Sequence, residues 1–369
     1  MKEFPVKNIK TGCFFTDTVY LDAGYPLLSP EMAFSEEIAA LLDEWHFEAV
    51  LSNGTEREFL ESDYSKNLVQ NDESKIEQAR AFLDELETWT TKLFIKFSTG
   101  GGGINFEMVA EKVSQLCKYV KENRKYILQA PKNGVRADDE AYYATHCVWS
   151  AIISIIIGAH LKLPNHRLIE LGAAALCHEI GMLKLPAGLY REKSVLTDKE
   201  KELLIMHPKL GYELLKSCNF PPAVCVPALE HHERENGSGY PRGLSKDRAA
   251  LYSKIIMVAG SYVAMTENRP HRDARMAYEG ITDLLKNESK QYDESVLRAF
   301  VLSLSIYPIG QDVELSNGRK GRVIDTNPED PRYPIVQIFN EQTPDGKNKF
   351  IETSATGVFV ARPLGKDEI

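Results

Sequence analysis

The stretch from Cys147 to Leu163 constrains this chain more than any other. It is the most apolar run in the sequence, broken only by Ser150, Ser154, Gly158, His160 and Lys162. A membrane span needs about 20 consecutive apolar residues, so the run is short for that role and reads as a fully buried helix. Other elements of the chain must cover it.

Composition sets the remaining bounds. The 369 residues are enough for two or three domains, and the shares of hydrophobic (43%) and charged (26%) residues are those of a soluble globular protein. A net charge of -9 argues against coating of duplex nucleic acid, where phosphate neutralisation dominates binding. It leaves room for a small anionic ligand in a locally positive, metal-lined pocket. The start Met1-Lys2-Glu3-Phe4-Pro5 mixes charges and lacks a sustained apolar run, so neither a signal peptide nor a membrane span is expected. The six cysteines, Cys13, Cys117, Cys147, Cys177, Cys218 and Cys225, form no CxxC pair and are expected to be reduced in a cytoplasmic protein.

Four segments follow from the local patterns. Residues 1–55 read as a small α/β accessory module. It has strand-like runs between Val6 and Leu21, then a helix capped by Ser35 with Ile38, Leu41, Leu42 and Trp45 on one face. A strand from Phe47 to Ser52 ends it at the turn Asn53-Gly54. Residues 56–138 read as a helical linker region, in which two helical patterns between Ser74 and Leu128 flank Gly100-Gly101-Gly102-Gly103. No Gly-Lys-Ser/Thr follows that glycine run, so it is expected to connect helices and not to cradle phosphate. Residues 139–305 alternate helical patterns with short turns. Within them Thr197 and Glu200 make a capping-box signature, and Pro208 suits the first turn of a helix, which puts His207 at a helix junction. From Tyr307 short strand patterns take over, and 306–369 read as a small antiparallel β barrel for docking or packing.

The chemistry lies in the histidines. Of nine, five form an ordered series, His146, His178, His207, His231 and His232, with Glu179 directly after His178 and Glu233 after His232. Imidazoles with carboxylates suit iron, manganese or zinc and do not favour calcium or magnesium. The spacing is far from that of a zinc finger.

The order and spacing are specific. His146, then His178-Glu179-Ile180-Gly181 ending at Pro186, then His207-Pro208 with Gly211, then His231-His232-Glu233-Arg234 and Gly237-Ser238-Gly239-Tyr240-Pro241 resemble the HD-GYP family. Arg269-Pro270-His271-Arg272 is similar to that family's Arg-Pro-Tyr-Arg element, and the resemblance covers about residues 139–310. It implies a mainly α fold, a helical HD-type bundle between the α/β module and the β barrel. It also implies one or two transition metal ions, iron or manganese before zinc. The implied activity is metal-dependent hydrolysis of the bacterial second messenger cyclic di-GMP to the linear dinucleotide or GMP, through a metal-bridged water.

By the same resemblance, one metal would take His207, His231 and His232, with Glu179 in the place of the usual bridging aspartate. The other would take His146, His178 and Glu179, but the family's further aspartate is Gly260 here, beside Ser261. Tyr142 stands where a third metal would need a carboxylate. The family's phosphate-contacting lysine is Met182, with Lys184 two residues on; its ligand-contacting aspartate is Val263, and the aspartate before its glycine loop is Asn236. The catalytic candidates are therefore Glu179, His178 and Lys184, and the ligand candidates are Gly237, Gly239, Tyr240, Pro241, Arg269 and Arg272. Hydrolysis slowed by the missing ligand and lysine is one reading; the alternative is an inactive cyclic di-GMP receptor or signalling scaffold. Expected partners are cyclic di-GMP, signalling proteins at the end modules and a second copy of the chain, without duplex nucleic acid or membrane.

Overall fold

In a computed structural model most of the apolar run forms the carboxy-terminal turns of a helix, Asp139–His160, whose side chains from Tyr142 to Ile157 are all buried, while Ala159 and His160 are exposed. By length and composition this helix would pass for a membrane span, yet 94% of its apolar window is covered by protein. The structure describes residues 1–22, 25–28, 34–57, 73–99, 104–130, 139–187, 189, 196–245, 248–268, 273–286, 290–327, 330–343, 348–365 and 368. The glycine run 100–103, Arg269 and Arg272 lie outside them.

Two units result, Met1–Asn71 and Asp72–Ile369. The first holds β1 (Lys2–Pro5), β2 (Phe14–Phe15), β3 (Val19–Asp22), β4 (Tyr25–Leu28), α1 (Glu36–Glu44), β5 (Ala49–Ser52) and β6 (Glu56–Arg57). Strands β1-β5-β3-β4 make an antiparallel sheet and β2 pairs with β6. Ser35 caps α1 by accepting the Ile38 N–H at 3.2 Å, and Phe15, Val19, Phe34, Leu42 and Val50 form the core. Leu41 and Trp45, expected on the buried face, are 41% and 52% exposed. So short a helix covers the sheet with Leu42 and the half-buried Ile38 and Ala39.

The second unit begins with α2 (Glu73–Ser98) and α3 (Phe106–Gln129), followed by the central helix α4 (Asp139–His160) and α5 (Asn165–Cys177). A 3-10 turn (Ile180–Lys184) leads to α6 (Asp198–Leu204), α7 (His207–Ser217), α8 (Pro222–Glu230), α9 (Leu251–Thr266), α10 (Ala277–Lys286) and α11 (Glu294–Leu304). Residues 73–130, read from the sequence as a linker region, place Leu86, Phe94, Phe97, Val113 and Leu116 in the same core as Ile152, Ile155, Leu171 and Phe300. Their apolar faces cover α4, and each fully buried side chain of this size contributes roughly 1.5–3 kcal/mol.

The carboxy-terminal strands are β7 (Asp312–Leu315), β8 (Lys320–Asp325), β9 (Ile335–Gln342), β10 (Asn348–Glu352) and β11 (Val360–Pro363). They pair antiparallel in the order β10-β9-β8-β7-β11, with Val313, Val323, Val336 and Ile338 at their core. This is an open sheet and not the expected barrel. Closure would require β10 to pair with β11, and among the described residues no such pair forms. The strand that the sequence did not announce, β10, has no fully buried position, as befits an edge.

One close contact fixes the site. The 3-10 turn after His178 crosses the start of α7 at Gly181 and Gly211, and a Cβ on Gly181 would collide with the His207 carbonyl oxygen and the Gly211 nitrogen. The obstacles are backbone, so they cannot swing aside. We expect Gly181→Ala to cost at least about 2–3 kcal/mol, read as a lower midpoint in urea or thermal unfolding. A midpoint unchanged from wild type would show that the turn yields and that this contact does not set the position of Glu179.

Candidate metal centre

Each histidine of the series stands at the end of an element or along α4. His178 caps the carboxy terminus of α5, His207 opens α7, and His231 caps α8 with His232 next to it. Helix ends leave unpaired carbonyls, and these orient the rings. Nδ1–H of His178 is donated to Ala175 O at 2.7 Å, that of His207 to Leu204 O at 2.6 Å, and that of His231 to Ala228 O at 2.9 Å. All three rings thereby present a bare Nε2 to one cavity of about 210 Å³.

Glu179 sits among them. Its carboxylate oxygens lie 3.4 Å from His207 Nε2, 3.8 Å from His178 Nε2 and 3.9 Å from His231 Nε2. Two groups of donor atoms result, Glu179 with His207, His231 and His232, and Glu179 with His146 and His178. Glu179 belongs to both. The added methylene relative to aspartate thus does not keep this carboxylate from reaching both sets of rings.

The electrostatics suit a cation. Burial pushes the His178 imidazole down to about 4, and burial together with neighbouring rings holds His231 and His232 well below the usual histidine range. Burial alone would raise the Glu179 carboxyl, but the imidazoles of His207, His178, His232 and His146 outweigh it and hold it at about 2. At neutral pH this is a carboxylate beside the rings of His178, His207, His231 and His232, all of which burial keeps below the usual histidine range. The Nε2 atoms of His207 and His231 stand only 3.1 Å apart. With both Nδ1 atoms donating to carbonyls, these two nitrogens face each other as lone pairs, an arrangement that a shared cation relieves. The residues present therefore fit a transition metal.

The second half is one carboxylate short. A Cβ built at Gly260 would lie 3.6 Å from His178 Nε2, 3.9 Å from Ser150 Oγ and 4.0 Å from His146 Nε2, so position 260 is aimed at this half and supplies nothing to it. Ser150 Oγ is buried without a hydrogen-bond partner among the described residues. Ser261, beside Gly260, lines the cavity but accepts the Tyr292 hydroxyl at 3.0 Å.

The ligand candidates divide. Tyr240 lines the cavity and stacks on His232 at 4.7 Å between ring centroids. Gly237, Gly239 and Pro241 are not among the lining residues. Gly237 is needed for its positive φ of 79°, and a Cβ on Gly239 would strike the Glu233–Arg234 backbone, so the tight approach at Gly239 is to the chain itself. Glu233 holds this loop by accepting the backbone N–H groups of Arg242 and Leu244, each at 2.8 Å. Lys184 does not line the cavity; the 3-10 turn points its ammonium at Phe97 O, 3.3 Å away, while Met182 faces the cavity instead. Sequence reasoning missed Arg234 as a cavity cation and Glu267 as the partner of His146. Arg234 was visible in the His231–Arg234 run, whereas Glu267 had only its helical spacing from Gly260 as a signal.

Because one carboxylate serves both halves, we expect Glu179→Gln to weaken every manganese-binding event, by at least about 100-fold. Titration calorimetry on metal-stripped protein checks this, and loss confined to one of two events would show that Glu179 is not shared.

The HD domain family matches residues 112–296. The cyclic di-GMP phosphodiesterase PdeB of Borreliella burgdorferi is 28% identical over 198 residues, covering 54% of this chain and 52% of the relative. The cyclic di-GMP phosphodiesterase PA4108 of Pseudomonas aeruginosa is 34% identical over 206 residues, covering 56% of this chain and 49% of the relative. The chain thus spans about half the length of these relatives. Among solved structures, Bd1817, an HDG"Y"P protein from Bdellovibrio bacteriovorus, shares the fold with a TM-score of 0.51 at 14% identity, over 81% of this chain and 97% of that one. With its matched residues, its histidine series and its shared carboxylate, this chain belongs to the HD domain family, and its motifs are consistent with the HD-GYP branch.

Proposed function

We propose that this chain is a metal-dependent phosphodiesterase that hydrolyses cyclic di-GMP to the linear dinucleotide or GMP, and does so slowly. The observation that carries the reading is Glu179, a single ionised carboxylate shared by His207, His231 and His232 on one side and His146 and His178 on the other. Iron or manganese held there would act as a Lewis acid on the phosphodiester and on water. The chain's own residues do the rest. His207, His231 and His232 with Glu179 make the complete half of the centre. Tyr240, fixed against His232, offers an aromatic wall to a base or ribose. Arg234, whose guanidinium is held by the His231 and Glu233 carbonyls and lies over the Tyr292 ring, places a cation at the cavity wall for a phosphate.

Two features support slowness. Gly260 leaves the second half without a carboxylate, and Met182 puts an apolar side chain where a cation would meet the phosphate, with Lys184 turned towards Phe97. These same features favour a second reading, a receptor that binds the dinucleotide without turning it over. Anaerobic incubation of manganese- or iron-loaded protein with cyclic di-GMP, followed by chromatography, separates the two. We expect linear dinucleotide or GMP to appear, to vanish with His231→Ala, and to form at least about tenfold faster with Gly260→Asp. Absence of product with both metals, alongside measurable binding of cyclic di-GMP in calorimetry, would replace the enzyme by the receptor.

A further inference from the structure

Glu267 stands at the carboxy-terminal cap of α9, seven residues after Gly260. Seven residues are nearly two helical turns, so both positions lie on one face, the face turned to His146. The Glu267 carboxylate accepts Nδ1–H of His146 at 2.9 Å, and the two side chains are only 8% and 9% exposed. His178, His207 and His231 donate the same N–H to neutral carbonyls; His146 alone among these four rings donates it to a carboxylate. The other oxygen, Oε1 of Glu267, is buried and has no hydrogen-bond partner among the described residues. A buried carboxylate satisfied on one oxygen only is costly unless positive charge lies close by.

We infer that Glu267, acting through His146, supplies the negative charge that Gly260 does not, and so keeps the half-site of His146, His178 and Glu179 able to hold a second divalent cation. The inference rests on the metal-centre reading and deepens it. Glu267 is a positioning residue, since it touches the imidazole and not the cation. Its hydrogen bond fixes the proton on Nδ1 and leaves the Nε2 lone pair facing the space at position 260. A carboxylate behind an imidazole also makes that ring a stronger donor than a neutral carbonyl does. The α9 face thus carries its charge two turns later than a chain with aspartate at 260 would, and delivers it across a ring.

The test is manganese stoichiometry and affinity on the metal-stripped 369-residue chain, by calorimetry with elemental analysis after dialysis. Wild type is expected to hold two manganese ions per chain. Glu267→Gln, isosteric and still able to hydrogen-bond, should weaken one event by about 10- to 100-fold and leave the other unchanged. Gly260→Asp in the Glu267→Gln background should restore the second event, which a merely structural role for Glu267 would not allow. Circular dichroism and melting in the presence of chelator establish that each variant is folded; if Glu267→Gln fails to fold, the double variant and Glu267→Asp carry the comparison. Two equally tight events in Glu267→Gln overturn the inference and leave the metal centre standing. A wild-type chain with a single manganese overturns the inference while the three-histidine half survives, and a wild-type chain with none overturns both.

Discussion

A carboxylate ringed by imidazoles is the constraint on which the helical body is arranged. Glu179 is 13% exposed in its side chain and faces rings contributed by α4, the end of α5, the start of α7 and the end of α8. An isolated charge in that position would be expelled or neutralised. Here it is kept ionised, so the five rings must be held at fixed distances. The apolar helix α4 provides the rigid wall from which His146 projects, and the remaining helices close around it. Fold and site are one problem: apart from His146 on α4, the rings around Glu179 sit at the helix junctions that the core brings together.

The supports for that carboxylate are mostly backbone. Three imidazoles are oriented by carbonyls at helix ends, His178 and His231 by their own helices and His207 by the last residue of the helix before it. Gly181 permits the turn carrying Glu179 to lie on the backbone of α7, and Gly239 lets the loop before Tyr240 lie on Glu233 and Arg234. The buried carboxylates near the loop are similarly engaged. Glu230 accepts from Ser253 Oγ at 2.7 Å and Ala250 N at 2.9 Å, and Glu233 accepts two loop amides. Such groups belong to the frame of the centre, which explains why Glu233, although it follows two ring ligands in sequence, faces away from them.

Much of this was legible in residue order, for identifiable reasons. The apolar run of α4 is broken by few polar side chains and is short for a membrane span, so its burial could be read directly. The capping box at Thr197, with Thr197 N donating to Glu200 at 2.8 Å, and Pro208 at the start of α7 are local signals that tertiary structure did not override. The histidine series was legible because its residues are rare and ordered. What escaped were directions. Lys184 was two residues from the family's lysine position, but a 3-10 turn rotates each residue by about 120°, and the side chain leaves the cavity. Gly237 and Gly239 looked like room for a ligand, yet the conformational freedom they give is used on the chain's own backbone. The open sheet escaped because strand patterns do not say whether the first and last strands meet, and β10 carries too little buried surface to announce itself. Glu267 escaped for a different reason: a lone acidic residue at a helix end is ordinary until its partner across the core is known.

The glycine at 260 is more than a subtraction. It exchanges a fixed anionic ligand for space, walled by His146, His178 and the buried hydroxyl of Ser150. A polar space of this kind accepts an oxygen from outside the chain. If a phosphodiester ligand fills it, the ligand itself supplies the anion that the second half lacks, and its binding is strengthened in the ground state. Interactions made equally well before and during the reaction do not lower the barrier. Tight binding and slow turnover would then be two consequences of one geometry. The balance between them turns on how much of the missing charge is already provided from behind His146.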